Sequence, residues 1–308
     1  MKEIIKNFLN NLISKANDRN IFHVGASHLA TARNNYSSYK NLFEADYKIY
    51  SQTGEDGILD FLIHSLLIKK PTFLEIGVGD YRECNTRYLF ERYSSKGVIV
   101  DQIENLKEKV SKNVKLWKGD LKIIEQSVNS ENINEILRKS EINENLDIFS
   151  IDIDGIDYWV IKNIPKIHSK IFVAEFNPIF GHEKKITVPN SKNFNRSDYH
   201  YSHLCYGMSL MALIELMNNK NFTFIGTNVA CHNAFFLANE YVKKINFDLP
   251  NNNHLEQFVQ NNFRDSRAKN FKLNYKSGKE RIKEISDCDV IDLSDGEKVT
   301  KIKDLFDF

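Results

Sequence analysis

The sequence is poor in cysteine, has no long apolar run, and leans to neither sign of charge. Its four cysteines, Cys84, Cys205, Cys231 and Cys288, lie far apart and form no Cys-x-x-Cys pair. That excludes a disulfide framework and a structural zinc site of the usual spacing, and it fits a reducing cytoplasm. No stretch approaches the roughly 20 apolar residues that span a bilayer. A signal-peptide core is also missing at the N-terminus, where Lys2, Glu3, Lys6, Asn7, Asn10 and Asn11 interrupt the apolar residues. Lys and Arg total 42 against 41 for Asp and Glu, a formal charge of +1. Such a balance offers no field to attract nucleic acid or an anionic membrane, so neither is an expected partner. Internal repeats are absent, and the abundant Asn and Lys are scattered rather than gathered into a low-complexity tract.

What is there suits a single large core: 308 residues, 42% of them apolar. The first segment carries a helical stripe, with Ile4, Ile5, Phe8, Leu9, Leu12 and Ile13 on one face. Its polar face is not basic enough for a membrane surface, so it is expected to pack on its own domain or on a second copy as a homo-oligomer. From Pro71 the chain alternates. A short apolar run, Thr72 to Ile76, ends in Gly77 and Gly79 and predicts a buried strand entering a turn. A helix with Leu89, Phe90 and Tyr93 follows, then a strand over Val98 to Val100 ending at Asp101. Further strands are expected at Val114 to Trp117 (closing at Asp120), Asp147 to Ile153 and Ile171 to Phe176, separated by helical patterns. A polar stretch from 178 to 206 reads as a substrate loop or lid. Beyond it lie an apolar helix and two strands, Phe222 to Ile225 and Ala234 to Leu237, whose short connection forces antiparallel pairing. The order predicts an α/β, doubly wound, Rossmann-like sheet, mostly parallel with one reversed strand. The domain is expected over 46–240, between an N-terminal helical extension (1–45) and a C-terminal accessory segment (241–308).

Chemistry in such folds collects at the carboxyl ends of the strands, where glycines let a ligand approach the backbone. Asp101 follows Gly79 by 22 residues, at the position where a carboxylate accepts from ribose hydroxyls. Both NAD and S-adenosylmethionine (SAM) carry that ribose. Gly77-x-Gly79 continues as Asp80-Tyr81-Arg82 and lacks the third glycine of dinucleotide sites. Glu75 and Asp80 add negative charge that repels a diphosphate and suits a sulfonium and an amino group.

These residues resemble the FkbM-like branch of class I SAM-dependent methyltransferases over about 48 to 240. The resemblance rests on Tyr50-Ser51-Gln52-Thr53-Gly54-Glu55-Asp56-Gly57, Phe73-Leu74-Glu75-Ile76-Gly77-Val78-Gly79-Asp80, Asn85-Thr86, the stretch from Ser150 to Trp159, and Asn233-Ala234-Phe235-Phe236. It implies a seven-stranded sheet of order 3-2-1-4-5-7-6 with the last strand antiparallel, and SAM across the first two strands. Glu75, Gly77 and Gly79 would form the cofactor loop, Asp101 would hold the ribose, Asp120 would stand near the adenine, and Asn85 and Thr86 would lie close by at a helix start, where Asn85 equally suits a plain N-cap. Gln52, Glu55 and Asp56 would line the outer mouth; Glu55 and Asp56 equally suit the first turn of a helix. The family often accompanies bacterial surface sugars, which implies O-methylation of a sugar or sugar-nucleotide precursor of a surface polysaccharide.

On the fourth strand Ser150, Asp152 and Asp154 alternate onto one side, so two carboxylates emerge together. Such a pair makes a general base or binds a divalent cation such as Mg2+, with Glu175 and Asn177 from the next strand as further oxygen ligands. Asp157 reads as a helix-start cap. The loop residues His182, Tyr199, His200, Tyr201 and His203 suit a sugar ring, with His200 the first histidine to consider as base and His232 able to reach the same mouth. The expected activity is therefore methyl transfer from SAM to a small polar acceptor. Two other classes remain, a non-catalytic module of the same fold and an NAD-dependent sugar oxidoreductase.

Overall fold

The computed structural model describes residues 2–142, 146–251, 254–294 and 296–307, with the backbone alone for residues 2–15. The chain opens on helix α1 (Lys2–Ala32), so the side chains of the expected stripe from Ile4 to Ile13 lie outside the described residues. After α2 (Glu55–Ser65), strands and helices alternate as β1 (Thr72–Ile76), α3 (Arg87–Tyr93), β2 (Lys96–Asp101), α4 (Leu106–Asn113), β3 (Asp120–Glu125), α5 (Ile133–Ser140), β4 (Leu146–Ile151), α6 (Asp157–Lys162) and β5 (Ser169–Glu175). The polar stretch holds β6 (Ile186–Thr187) and α7 (Arg196–Tyr199), before α8 (Leu210–Asn218), β7 (Phe222–Thr227) and β8 (Asn233–Ala238). A C-terminal group, α9 (Lys279–Glu284), β9 (Asp289–Asp292) and β10 (Lys298–Lys301), completes the fold.

The main sheet has seven strands in the order β3-β2-β1-β4-β5-β8-β7, with β8 antiparallel to both neighbours. Setting aside β6, which pairs elsewhere, this is the 3-2-1-4-5-7-6 order expected from the sequence. Parallel strands covered on both faces must be apolar throughout, and every residue of β4 is buried. On one face Leu74, Ile76, Phe149, Ile151, Phe172 and Ala174 pack against α5, α6 and α8. The other face, with Phe73, Ile99, Ile148, Ile171, Val173 and Phe235, packs against α2, α3 and α4. Residues from the C-terminal segment, including Leu255, Phe258, Ile285, Val290 and Ile302, belong to the first of these clusters. A second sheet, β10-β9-β6, binds that segment to the polar stretch. The tail therefore completes one side of the core.

The expected third strand is displaced. Val114 to Trp117 is not a strand: Leu116–Lys118 is a 3-10 turn, and β3 begins at Asp120. The reason is exposure. As the sheet's edge strand, β3 has no fully buried residue, so its Leu121, Ile123 and Ile124 give a weaker apolar signal than an interior strand.

Where α2 starts, Asp56 organises the loop before it. Its Oδ2 accepts from the backbone N–H groups of Ile49, Tyr50 and Ser51 and from the Ser51 hydroxyl, each at 2.7 Å. Burial pushes its carboxyl up to about 6 in spite of those donors. Removing the acceptor strands three buried amides, each costing about 1–3 kcal/mol. Asp56→Ala is expected to lower stability by about 3 kcal/mol or more. Urea unfolding checks this, and a loss below about 1 kcal/mol would show that the loop finds other partners.

Candidate functional site

A cleft of about 940 Å3 opens at the carboxyl ends of β1, β2, β3 and β4. Its walls include Gln52, Glu75, Gly77, Gly79, Asn85, Asp101, Asp152 and Asp154 from the sequence-predicted set. One half is the turn after β1. Gly77 has φ +85°, and a Cβ there would stand 1.5 Å from the carbonyl oxygen of Asp152, so only glycine lets β1 and β4 end so close together. Gly79 has φ +56°, and nothing among the described residues lies within 4 Å of the place its Cβ would take. Its N–H donates to Asp101 Oδ2 at 2.8 Å, while Ile103 N–H donates to Oδ1 at 3.0 Å. Asp101 thus ties the ends of β1 and β2 together, and each of its oxygens keeps a lone pair for a further donor.

Glu75 is buried and fully engaged. Oε1 accepts from Asn85 N–H at 2.8 Å, and Oε2 from Thr86 N–H at 3.0 Å and the Thr86 hydroxyl at 2.5 Å. Its carboxylate thereby binds the two amides that directly precede α3, those of Asn85 and the N-cap residue Thr86. Burial pushes its pKa up to about 7 against those donors. Thr86 is fully buried in this brace, beneath the cleft wall. The Asn85 side chain donates to Ser150 Oγ at 3.0 Å and joins the two halves of the cleft.

The other half is carboxylate-rich. Oxygens of Asp152, Asp154 and Glu175 lie within 4.8 Å of one another. Asp152 and Glu175 share a hydrogen bond, and burial together with the neighbouring negative charges holds both well above the usual carboxylate range. Asp154 instead faces Arg196 in an ion pair, and the Arg196 guanidinium also lies over the Tyr206 ring at 4.8 Å. Asp157 is the first residue of α6 but does not cap it: its oxygens accept from Ile153 N–H at 2.9 Å and Gly155 N–H at 3.0 Å, so it fastens the turn before the helix instead.

Several expected residues lie elsewhere. Asp120 is the first residue of β3 and pairs with Lys96, the first of β2, so it stands at the amino end of the sheet, opposite the cleft. The place expected for it, at the end of the third strand, is held by Gln126, Ser127 and Val128. Glu55 and Asp56 are buried rather than at the mouth. Glu55 Oε1 accepts from Asn228 at 2.7 Å and Asn233 at 2.9 Å, with His232 Nε2 at 3.5 Å. Burial raises the Glu55 carboxyl, but His232 and these donors outweigh it and the net shift is downward. Asn177 is spent on the backbone, donating to the Leu204 and Tyr206 carbonyls and capping Ile179 N–H.

The loop histidines do not reach the cleft walls. His200 Nδ1 is 2.7 Å from Ser202 Oγ, its ring lies against Tyr201, and burial lowers its pKa. His203 neighbours Ser197, His182 neighbours Glu183, and the Tyr199 hydroxyl donates to the Asp289 carbonyl at 2.6 Å. From this loop it is Lys192 to Asp198 that lines the cleft, with Asn193, Asn195 and Arg196 among them. Asn233 from β8 lines it as well. The sequence offers no local signal for Arg196 beyond a cation in a polar loop; only the chain path sets it over Asp154.

No protein-family model matches this chain, and no curated protein matches it. Among solved structures it is similar to the pyocyanin biosynthetic protein PhzM, at 13% identity and TM-score 0.34, over 57% of this chain and 53% of that one. It is also similar to the CurJ carbon methyltransferase, at 10% identity and TM-score 0.39, over 76% of this chain and 70% of that one. A third is the putative methyltransferase bound to the Haloferax volcanii Trm112 methyltransferase activator, at 10% identity and TM-score 0.34, over 60% of this chain and 93% of that one. The chain spans about half (53%) of the length of PhzM. At such scores the likenesses carry no weight on activity, and the fold rests on the sheet order itself.

Proposed function

We propose that this chain is a SAM-dependent methyltransferase acting on an oxygen of a small polyhydroxylated acceptor, a sugar or sugar nucleotide. The observation that carries the reading is the Glu75 carboxylate seated on the Asn85 and Thr86 amides. In a dinucleotide site the helix entrance after the first strand takes a pyrophosphate. Here the chain's own carboxylate stands beside that entrance, on the amides just ahead of the helix, so a diphosphate would meet an acidic turn, which disfavours NAD. A cofactor without phosphate and with a positive centre suits the same turn. Glu75, Gly77, Gly79 and Asn85 would hold its amino-acid end and Asp101 its ribose, while Gly79 leaves open the space that a side chain would fill.

SAM, when bound, supplies an electrophilic methyl group. Asp152 would receive the acceptor hydroxyl by hydrogen bond and take its proton as the methyl passes to that oxygen from the cofactor's sulfur, which would leave as a neutral thioether. Glu175, sharing its hydrogen bond with Asp152, fixes the orientation of that carboxyl. Gln52, Asn193, Asn195 and Arg196 give amide and guanidinium donors suited to several hydroxyls at once. The volume, about 940 Å3, lies at the upper end for small-molecule sites and accommodates a cofactor beside an acceptor.

Calorimetric titration with SAM and, separately, with NAD tests this. Micromolar SAM binding without NAD binding is expected. Absence of SAM binding, or preference for NAD, would overturn the proposal. SAM binding with no transfer to any of a panel of sugar nucleotides would favour a non-catalytic module of the same fold.

A further inference from the structure

The acceptor half of the cleft contains a row of oxygen donors that the methyl-transfer reading leaves partly unused. Asp152 directly follows β4, Glu175 ends β5 and Asn233 begins β8. Ile151 pairs with Ala174 and Glu175 with Asn233, so the three residues stand side by side across adjacent strands. They also share a face. Counting back in twos reaches Ile148, Ile171 and Val173, and counting forward from Asn233 reaches Phe235 and Leu237, all of the same core cluster. Among the described residues, Arg196 pairs with Asp154, and no cation pairs with Asp152 or Glu175.

Asn233 supplies an independent observation. It is 3% exposed and lines the cleft, yet its Oδ1 has no hydrogen-bond partner among the described residues. The orientation of its amide is fixed, because Nδ2 donates to Glu55 Oε1 at 2.9 Å and a carboxylate oxygen there would repel the carbonyl. A buried carbonyl oxygen left unpaired costs about 1–3 kcal/mol, so its retention beside two carboxylates needs a reason.

We propose that Asp152, Glu175 and Asn233, with Asp154 at the rim, bind a divalent cation of the Mg2+ or Mn2+ class. Hard oxygen donors from two carboxylates and an amide, completed by water or an acceptor hydroxyl, are the set such ions take. The cation satisfies Asn233 Oδ1 and places a positive charge among carboxylate oxygens that lie within 4.8 Å of one another. Asp152 gives one oxygen to the ion and keeps the other for the acceptor's proton. An acceptor hydroxyl bound to the ion has a lowered pKa and a fixed direction of approach. The inference deepens the reading of the acceptor half of the cleft, and its test needs neither SAM nor turnover.

Protein stripped with a chelator is titrated with Mn2+ alone, followed by the loss of the free-ion electron paramagnetic resonance signal. One Mn2+ per chain, displaced by excess Mg2+, is expected. Glu175→Gln keeps the hydrogen bond to Asp152 but loses the charge, and it should weaken binding about tenfold or more, the scale on which even outer-shell partners act. Asn233→Leu should weaken it several-fold, while Asp287→Asn, at an exposed carboxylate paired with Lys303, should leave it unchanged. Melting curves in chelator establish that each variant folds, and Asp152→Asn replaces Glu175→Gln should the latter fail. Absence of saturable one-to-one binding, or binding indifferent to both carboxylate variants, overturns the proposal. Because SAM titration is a separate measurement, failure here leaves the cofactor reading standing, and the converse holds.

Discussion

Gly77→Ala is expected to abolish SAM binding and to destabilise the protein, whereas Gly79→Ala should do neither to a comparable degree. The two glycines look alike in sequence and both have positive φ, at +85° and +56°. Their surroundings differ. A methyl group at 77 would fall 1.5 Å from the Asp152 carbonyl oxygen, a backbone atom that moves only if the ends of β1 and β4 separate. Gly77 N–H donates to the Val100 carbonyl at 2.9 Å and Asp152 N–H to the Ile76 carbonyl at 2.9 Å, so that separation breaks ladder bonds on both sides. The expected cost is about 3–5 kcal/mol, in the range for overpacking combined with backbone strain. At 79 the space is open, and alanine pays only the left-handed conformation, about 1 kcal/mol. A large side chain there is a different matter: Gly79→Leu should fold and yet exclude SAM, because it occupies the open space itself. Thermal unfolding and SAM titration of the three variants separate these outcomes. Full SAM binding by Gly79→Leu would remove this turn from the cofactor site.

The contrast shows how much of the site could be read before the fold was known. Gly77, Gly79 and Asp101 were legible because a buried parallel strand is a nearly continuous apolar run, and the turn at its end is local. The interior strands β1, β2, β4 and β5 were legible for the same reason. Edge strand β3 was not, and its displacement took Asp120 to the wrong end of the sheet. Glu55 announces itself as a charge at a helix start, but its fate depends on Asn228 and Asn233, some 173 and 178 residues away. No local pattern contains that information. The histidines of the long loop cluster in sequence, yet the C-terminal segment draws their neighbours off: the Tyr201 hydroxyl donates to Glu284 and that of Tyr199 to the Asp289 carbonyl. What that path delivers to the cleft instead is Arg196.

That placement sharpens the second large effect, the loss of turnover in Asp152→Asn. Of the groups first considered as base, His200 lies off the cleft walls and hydrogen-bonds Ser202, and Asp154 is committed to Arg196. Asp152 lines the cleft, lies close to Glu175, pairs with no cation among the described residues, and directly follows β4, whose end meets the turn at Gly77. Asparagine retains its size and can donate to Glu175, so the fold and the Gly77 turn should persist. It cannot take a proton. General base catalysis contributes about 10²–10⁴-fold, so turnover should fall by about 10³-fold with SAM affinity within a few-fold of the parent. Asp154→Asn should cost about tenfold, because it releases Arg196 without removing the base, and His200→Ala should stay within about twofold. Transfer of labelled methyl to a sugar-nucleotide acceptor, with SAM affinity measured alongside, distinguishes these variants. Unchanged turnover in Asp152→Asn would take that residue out of the chemistry. A deficit in SAM affinity equal to the deficit in turnover would instead assign Asp152 to the cofactor's amino group, since a carboxylate beside Gly77 can serve a positive ligand as readily as an acceptor hydroxyl.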